Sequence, residues 1–192
     1  MKITMTGTEF NRIMRVCIPA LSKDDLREAL RYINIQCNGE GEGCATALDG
    51  TILAQTRFSC QGQRGSLFIP AHKTVPNDCE IEITQEEGNV SISDGVETIT
   101  RKVPEFGAID YAIICKGAQA KKKSITIAFN PKLMMQALKS YKDRENLVCM
   151  DIYGPTDAAI LHNNTACGLL LPVRLAASEE RKPSFWEMRE NV

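Results

Sequence analysis

The first seven residues, MKITMTG, alternate apolar and polar side chains and predict a β-strand, after which the period lengthens. Phe10, Ile13, Met14 and Cys17 recur at helical spacing, so a helix is expected with Thr8 as its cap and Pro19 at its end. Arg12 and Arg15 then fall on the opposite face. "SKDDLREAL" offers a short second turn, with Ser22 as cap and Asp25 three residues on. From residue 31 the period drops to two. RYINIQC, GCATALD and TILAQTRFSC read as strands, with NGEGEG and DG as turns between them, an antiparallel meander. RGSLFIP, CEIEIT, NVSISDG and VETITRKV continue as a second meander, separated by AHKTVPND and QEEGN.

The run KGAQAKKKS, residues 116–124, is small, polar and positive, and marks a boundary. Beyond it SITIAF predicts a strand, and Asn130 caps a helix with Pro131 at its first position. Leu133, Met134, Ala137, Leu138 and Tyr141 share one face of that helix, with Lys132, Lys139 and Lys142 largely off it. NLVCMDIYG, AAILHN and ACGLLLPVR add three strands. Strand-helix-three-strands thus occurs near residues 1–60 and again at 124–174, while 65–103 has the strands with almost no helix. The expected class is α+β, with antiparallel sheets outside and helices on one face. The expected division is a domain over 1–115, a linker over 116–123, a half domain over 124–175 and a tail over 176–192.

Composition narrows the function classes. With 43% apolar and 24% charged residues in 192, the chain is ordinary globular material rather than disordered or fibrous. A net charge of -1 excludes a uniformly basic nucleic-acid binder and leaves room only for a local basic face. No apolar stretch reaches the roughly 18 residues of a membrane span and no signal pattern opens the chain, so a cytoplasmic protein without a membrane partner is expected. Eight scattered cysteines without a C-x-x-C pair predict free thiols rather than disulfides or zinc.

No catalytic constellation emerges, so no enzyme, metal or cofactor is expected. In GEGEG, Glu40 and Glu42 would repel phosphate and no helix follows, which favours a hairpin turn. His72 and His162 lack triad or metal spacing. Asp24 and Asp25 neighbour Lys23 and Arg27, and together with Asp49 they fit capping or solvated roles. Arg12, Arg15, Lys121, Lys122, Lys123, Lys132, Lys139 and Lys142 are the candidate DNA-binding residues, with a solvated face as the alternative. LDGTILA and GLLLPVRL fit core strands. Strict alternation, however, would expose half of Leu169–Leu171, so an accessible groove is the competing reading.

Several stretches together resemble the bacterial DNA polymerase III beta subunit, the replicative sliding clamp, over nearly all of residues 1–175. "ALSKDDLREAL" is similar to the entrance of the family's middle domain, through Ser22, Arg27 and Leu30. "ATALDGTILAQ" resembles a family strand in which Asp49, Leu53 and Ala54 match while Leu48, Thr51 and Ile52 depart. "EFGAIDYAII" is similar to the connection out of that domain, and "ITIAFNPKLMMQALKSY" to the strand and helix opening the last half domain, through Asn130 and Leu138. "LLLPVRL" resembles the family's C-terminal ending, one wall of a pocket for short linear motifs.

The resemblance implies a processivity factor that binds double-stranded DNA without reading sequence and captures DNA polymerase or clamp loader peptides. It implies a groove of Leu48, Thr51 and Leu53 with Leu169, Leu171, Pro172, Val173 and Arg174. The chain departs from the family's three domains of two units each by holding a middle domain plus half of another. A ring therefore requires a homo-oligomer, and the alternative is a monomeric clamp-fold peptide-binding module that does not encircle DNA. In the tail, Phe185 and Trp186 are the anchors if it docks on a groove, with disorder as the alternative.

Overall fold

The computed structural model describes residues 1–24, 26–103, 106, 126–139, 141, 147–163 and 165–174. They fall into two compact units, one within Met1–Lys116 and the other within Gly117–Pro183. The predicted linker, Asp25, Cys115, most of EFGAIDYAII and the tail with Phe185 and Trp186 lie outside the described residues.

In the first unit, β1 (Lys2–Thr6) buries Ile3 and Met5 and runs straight into α1 (Gly7–Cys17). The helix buries Phe10, Ile13, Met14 and Cys17, the face its periodicity predicts. Its cap is Thr6 rather than Thr8. Thr6 has extended backbone and its hydroxyl accepts from the Glu9 amide at 3.3 Å, because strand and helix join with no intervening residue. The Thr8 hydroxyl instead donates to the Asn77 carbonyl. Gly7 is required there, since a Cβ would lie 1.9 Å from the Pro76 carbonyl oxygen. The helix ends before Pro19, in a 3-10 turn over Ile18–Ala20. Ser22 accepts from the Asp24 amide, and a second 3-10 turn spans Glu28–Arg31.

Eight strands follow: β2 (Ile33–Cys37), β3 (Glu42–Leu48), β4 (Leu53–Ser59), β5 (Gln61–Gly62), β6 (Gly65–Ile69), β7 (Glu80–Glu86), β8 (Asn89–Ser93) and β9 (Thr98–Lys102). They form two antiparallel sheets, ordered β4-β3-β2-β6 and β5-β1-β7-β8-β9. Sequence order places β6 in the second meander, but it pairs with β2, while β1 pairs with β7. Each meander of three strands thus receives the first strand of the other. The β1–β7 seam sets Ile3 opposite Ile83 and Met5 opposite Ile81, and the β2–β6 seam sets Ile33 opposite Ile69 and Ile35 opposite Leu67. All eight side chains belong to one core with Phe10, Ile13 and Met14.

Among the described residues the second half of this unit carries no helix: residues 70–79 run in extended and turn conformation. Asn11 of α1 ties that segment down. Its amide nitrogen donates to the Val75 carbonyl at 2.8 Å and its oxygen accepts from the Val75 amide at 3.0 Å.

In the second unit, Asn130 accepts from the amides of Lys132 and Leu133 and caps α2 (Pro131–Lys139), as its sequence predicts. β10 (Cys149–Asp151), β11 (Ala159–His162) and β12 (Cys167–Leu170) form an antiparallel sheet. Of SITIAF, residues 126–129 are described, and they form one bridge, Ala128 with Val173, rather than a strand. The buried core here is Tyr141, Leu161 and Leu170, with the Tyr141 hydroxyl donating to the Leu161 carbonyl at 2.7 Å.

One turn recurs between the last two strands of every half. Asp49 accepts from the amides of Thr51 and Ile52, Asp94 from Val96 and Glu97, and Asn163 from Thr165 and Ala166. In each case the first residue's own amide closes the loop on the carbonyl of the fourth. The pairs flanking these turns, Leu48 with Leu53, Ser93 with Thr98 and His162 with Cys167, are therefore equivalent positions.

Two consequences can be measured. Asn11→Ala removes both ties to Val75, a buried residue, and is expected to lower stability by about 1–3 kcal/mol in urea denaturation. The amides of Ile52 first, and then Thr51, hold the Asp49 carboxylate below its ordinary range. A depressed carboxylate stabilises the fold above its unfolded-chain value, about pH 4, and loses that contribution as pH falls through the folded value. Asp49→Asn keeps the turn, as Asn163 does, so the melting temperatures of wild type and variant should converge as the solution is acidified below about pH 4.

Candidate peptide and nucleic-acid interfaces

The run Gly168–Arg174 is half strand and half edge. Alternation along β12 buries Leu170 at 5% exposure and turns Leu169 outward at 71%. The strand stops after Leu170, because Pro172 cannot donate to a ladder, yet Leu171 and Val173 stay exposed at 72% and 48%. The Val173 amide donates to the Ala128 carbonyl at 2.7 Å and anchors this end. Pro172 is half-buried and Arg174 exposed. The result is a strip of three apolar side chains presented to solvent from a backbone fixed at both ends.

The other residues of the expected groove belong to the first unit and are placed there separately. Leu48 and Leu53 face each other across the β3–β4 hairpin, both half-buried, and Thr51 and Ile52 sit exposed in its turn. Arg27, in the segment that resembles the clamp family, lies near enough to Asp49 to favour its charged form. Ser22, also in that segment, has a local capping role.

The basic candidates divide. Arg15 is exposed in the last turn of α1. Arg12 is half-buried, its guanidinium shared between the Glu9 carboxylate and the Arg57 carbonyl. It is a structural cation as much as a surface one. Lys132 and Lys139 are exposed on α2, one above the other at i, i+7. Lys121, Lys122, Lys123 and Lys142 lie outside the described residues. Counting from the two caps, Thr6 and Asn130, Lys139 occupies the position of Arg15. Aligning the two helix starts in the sequence is enough to reveal this equivalence.

The other candidate residues, as far as they are described, lie apart. His72 packs edge-on against Phe10, with ring centroids 5.5 Å apart, and His162 faces Asp151 at 3.1 Å. Asp24 accepts from the Leu26 amide. The described cysteines are free thiols. Cys37 and Cys60 approach to 3.5 Å between sulfurs, a buried pair in which Cys37 is pushed up and Cys60 held down by the bond between them. Among the described residues no group of three His, Cys, Asp or Glu side chains is placed to hold a metal ion. No helix among them is long and apolar enough to cross a membrane.

Neither a known family profile nor a curated protein matches the sequence. Solved structures do match. The Bacillus subtilis DNA polymerase sliding clamp superposes with a TM-score of 0.73 at 16% identity, covering 90% of this chain and 49% of that one. The beta chain of DNA polymerase III from Streptococcus pneumoniae gives 0.70 at 13% identity, covering 91% and 50%. The beta sliding clamp of C. crescentus gives 0.68 at 16% identity, covering 89% and 50%. This chain spans about half the length of those clamps. It has the α+β fold of the bacterial DNA polymerase III beta sliding clamps.

Proposed function

We propose that the protein is a clamp-like processivity factor of DNA replication, which holds duplex DNA against its helices and tethers polymerase or clamp-loader peptides on Leu169, Leu171 and Val173. The observation that carries this reading is the equivalence of Arg15 and Lys139. Each helix of the repeat carries an exposed cation at the same position, a contact that suits a phosphate and reads no base edge. The protein acts by holding, and no catalytic step is assigned to it.

The peptide role rests on the strip itself. An apolar anchor laid on Leu169 and Leu171 gains roughly 25 cal/mol per Å² of surface removed from water. Among proteins of the same fold, the C. crescentus clamp was solved with polyethylene glycol at the region assigned to β-motif tethering, and the Pseudomonas aeruginosa clamp with griselimycin. Arg12 favours a second reading. With its guanidinium committed to Glu9 and the Arg57 carbonyl, α1 offers DNA one cation fewer, as suits a clamp-fold peptide-binding module that does not encircle DNA.

Two experiments test these readings, and the first separates them. Duplex affinity should fall steeply with salt, and Arg15→Ala with Lys139→Ala should flatten the slope of log K against log salt by about one for each phosphate no longer neutralised, with little dependence on sequence. DNA binding that ignores salt contradicts the processivity reading. Leu171→Asp places a charge in the exposed strip and should abolish capture of a hydrophobic clamp-binding peptide under both readings, with folding preserved because Leu171 is 72% exposed.

A further inference from the structure

The first unit is two halves joined by exchanged first strands, while the described residues of the second unit hold one half. The two can be compared position by position. The recurrent turn makes the pair Asn34 with Thr46 equivalent to Asp151 with Ile160, so Met150 takes the place of Ile33 and Ile152 that of Ile35. The helix caps make Ile127 equivalent to Ile3, Phe129 to Met5 and Leu138 to Met14.

In the first unit Ile3, Met5, Met14, Ile33 and Ile35 are all at most 5% exposed, because the other half covers them. In the second unit Ile127, Phe129 and Met150 are half-buried, and Leu138 and Ile152 are 41% and 44% exposed. Among the described residues β10 is paired only on its β11 side, and residues 126–129 only through the Val173 bridge. The first unit fills the corresponding edges with β6 on β2 and β7 on β1. It has no spare half to lend.

We infer that the second unit is completed by a second copy of this chain, through a two-fold exchange in which residues 126–129 of each copy pair with β10 of the other. The two seams of the first unit are themselves equivalent contacts of a first strand on a second strand, so one half is complementary to another half like it. The register follows from the same equivalence. Ile3 opposite Ile83 and Thr4 opposite Glu82 become Ile127 opposite Met150 of the second copy and Ala128 opposite its Cys149. Apolar residues then meet on the core face. Asp151, the one charged residue in the paired stretches, faces Thr126, so no like charges oppose each other.

The exchange would bury two strand seams and the apolar face between them, and a specific interface buries roughly 1,200–2,000 Å². Among the described residues the core cluster of this half has only Tyr141, Leu161 and Leu170 buried, which leaves it little other means of excluding water. Since one chain covers 49% of the B. subtilis clamp chain, two copies joined this way hold about as much of the fold as one such chain. The pairing follows from the internal repeat and stands whether or not the protein binds DNA.

The test uses the full chain. Light scattering at tens of micromolar should give a dimer or an even multiple, and Ile152→Asp, at an already exposed position, should halve the mass with an unchanged circular dichroism spectrum. In Ala128→Cys, mild oxidation should form an intermolecular disulfide with native Cys149, visible as a covalent dimer that Cys149→Ser removes; directly opposed strand residues lie within disulfide reach. A monomeric wild type, an Ile152→Asp variant of unchanged mass, or a dimer that fails to cross-link through Cys149 each overturns the proposal.

Discussion

The pairing of one half's first strand with the other half's second strand is what the rest of the molecule is built around. In the first unit it occurs twice, as β1 on β7 and β6 on β2, and both seams set Ile, Leu or Met against Ile on the core face. Neither meander can bury its inner face alone, and the exchange converts two three-stranded sheets into one core closed by α1. The helix is held at two points of this arrangement: at its start by the direct join to β1, and at its middle by Asn11 gripping Val75 of the other half. Among the described residues the second half has no helix of its own. The extended segment bound to Asn11 occupies that part of the chain.

Much of this is legible in the sequence, for physical reasons that differ from element to element. Alternation in MKITMTG and the spacing of Phe10, Ile13, Met14 and Cys17 are local signals, and the strand and helix follow them. Asn130-Pro131 is a strong start signal, and α2 begins there. The cap of α1 moves from the expected Thr8 to Thr6 because both are acceptable cap residues, and only the absence of a linker after β1 decides between them. The partner of β6 departs from expectation because strand exchange is a long-range fact: Gly65–Ile69 is followed in sequence by β7, and nothing local says that it returns to β2. The recurrent turn is visible as DGTI, DGVE and NNTA, and aligning these three exposes the repeat.

For the candidate site the balance shifts. The outward turn of Leu169 and Leu171 about a buried Leu170 is what alternation predicts, and Pro172 explains why the strand stops there. The basic residues are less transparent, because charge at helical spacing does not tell which cations are already spent. Arg12 looks equivalent to Arg15 in the sequence, yet one is held by Glu9 and the Arg57 carbonyl while the other is exposed to solvent or an incoming anion. The likeness to sliding clamps establishes the fold, and the proposed function stands on these particular side chains.

A fold that is stable only as joined halves should reveal that dependence in its amide hydrogen exchange, followed on the full-length chain over a dilution series. β1, β2, β6 and β7 are expected to be protected together at every concentration, and residues 126–129 and β10 to become protected as concentration rises. Fast exchange of residues 126–129 and β10 at the highest concentration would contradict this dependence of one half on another.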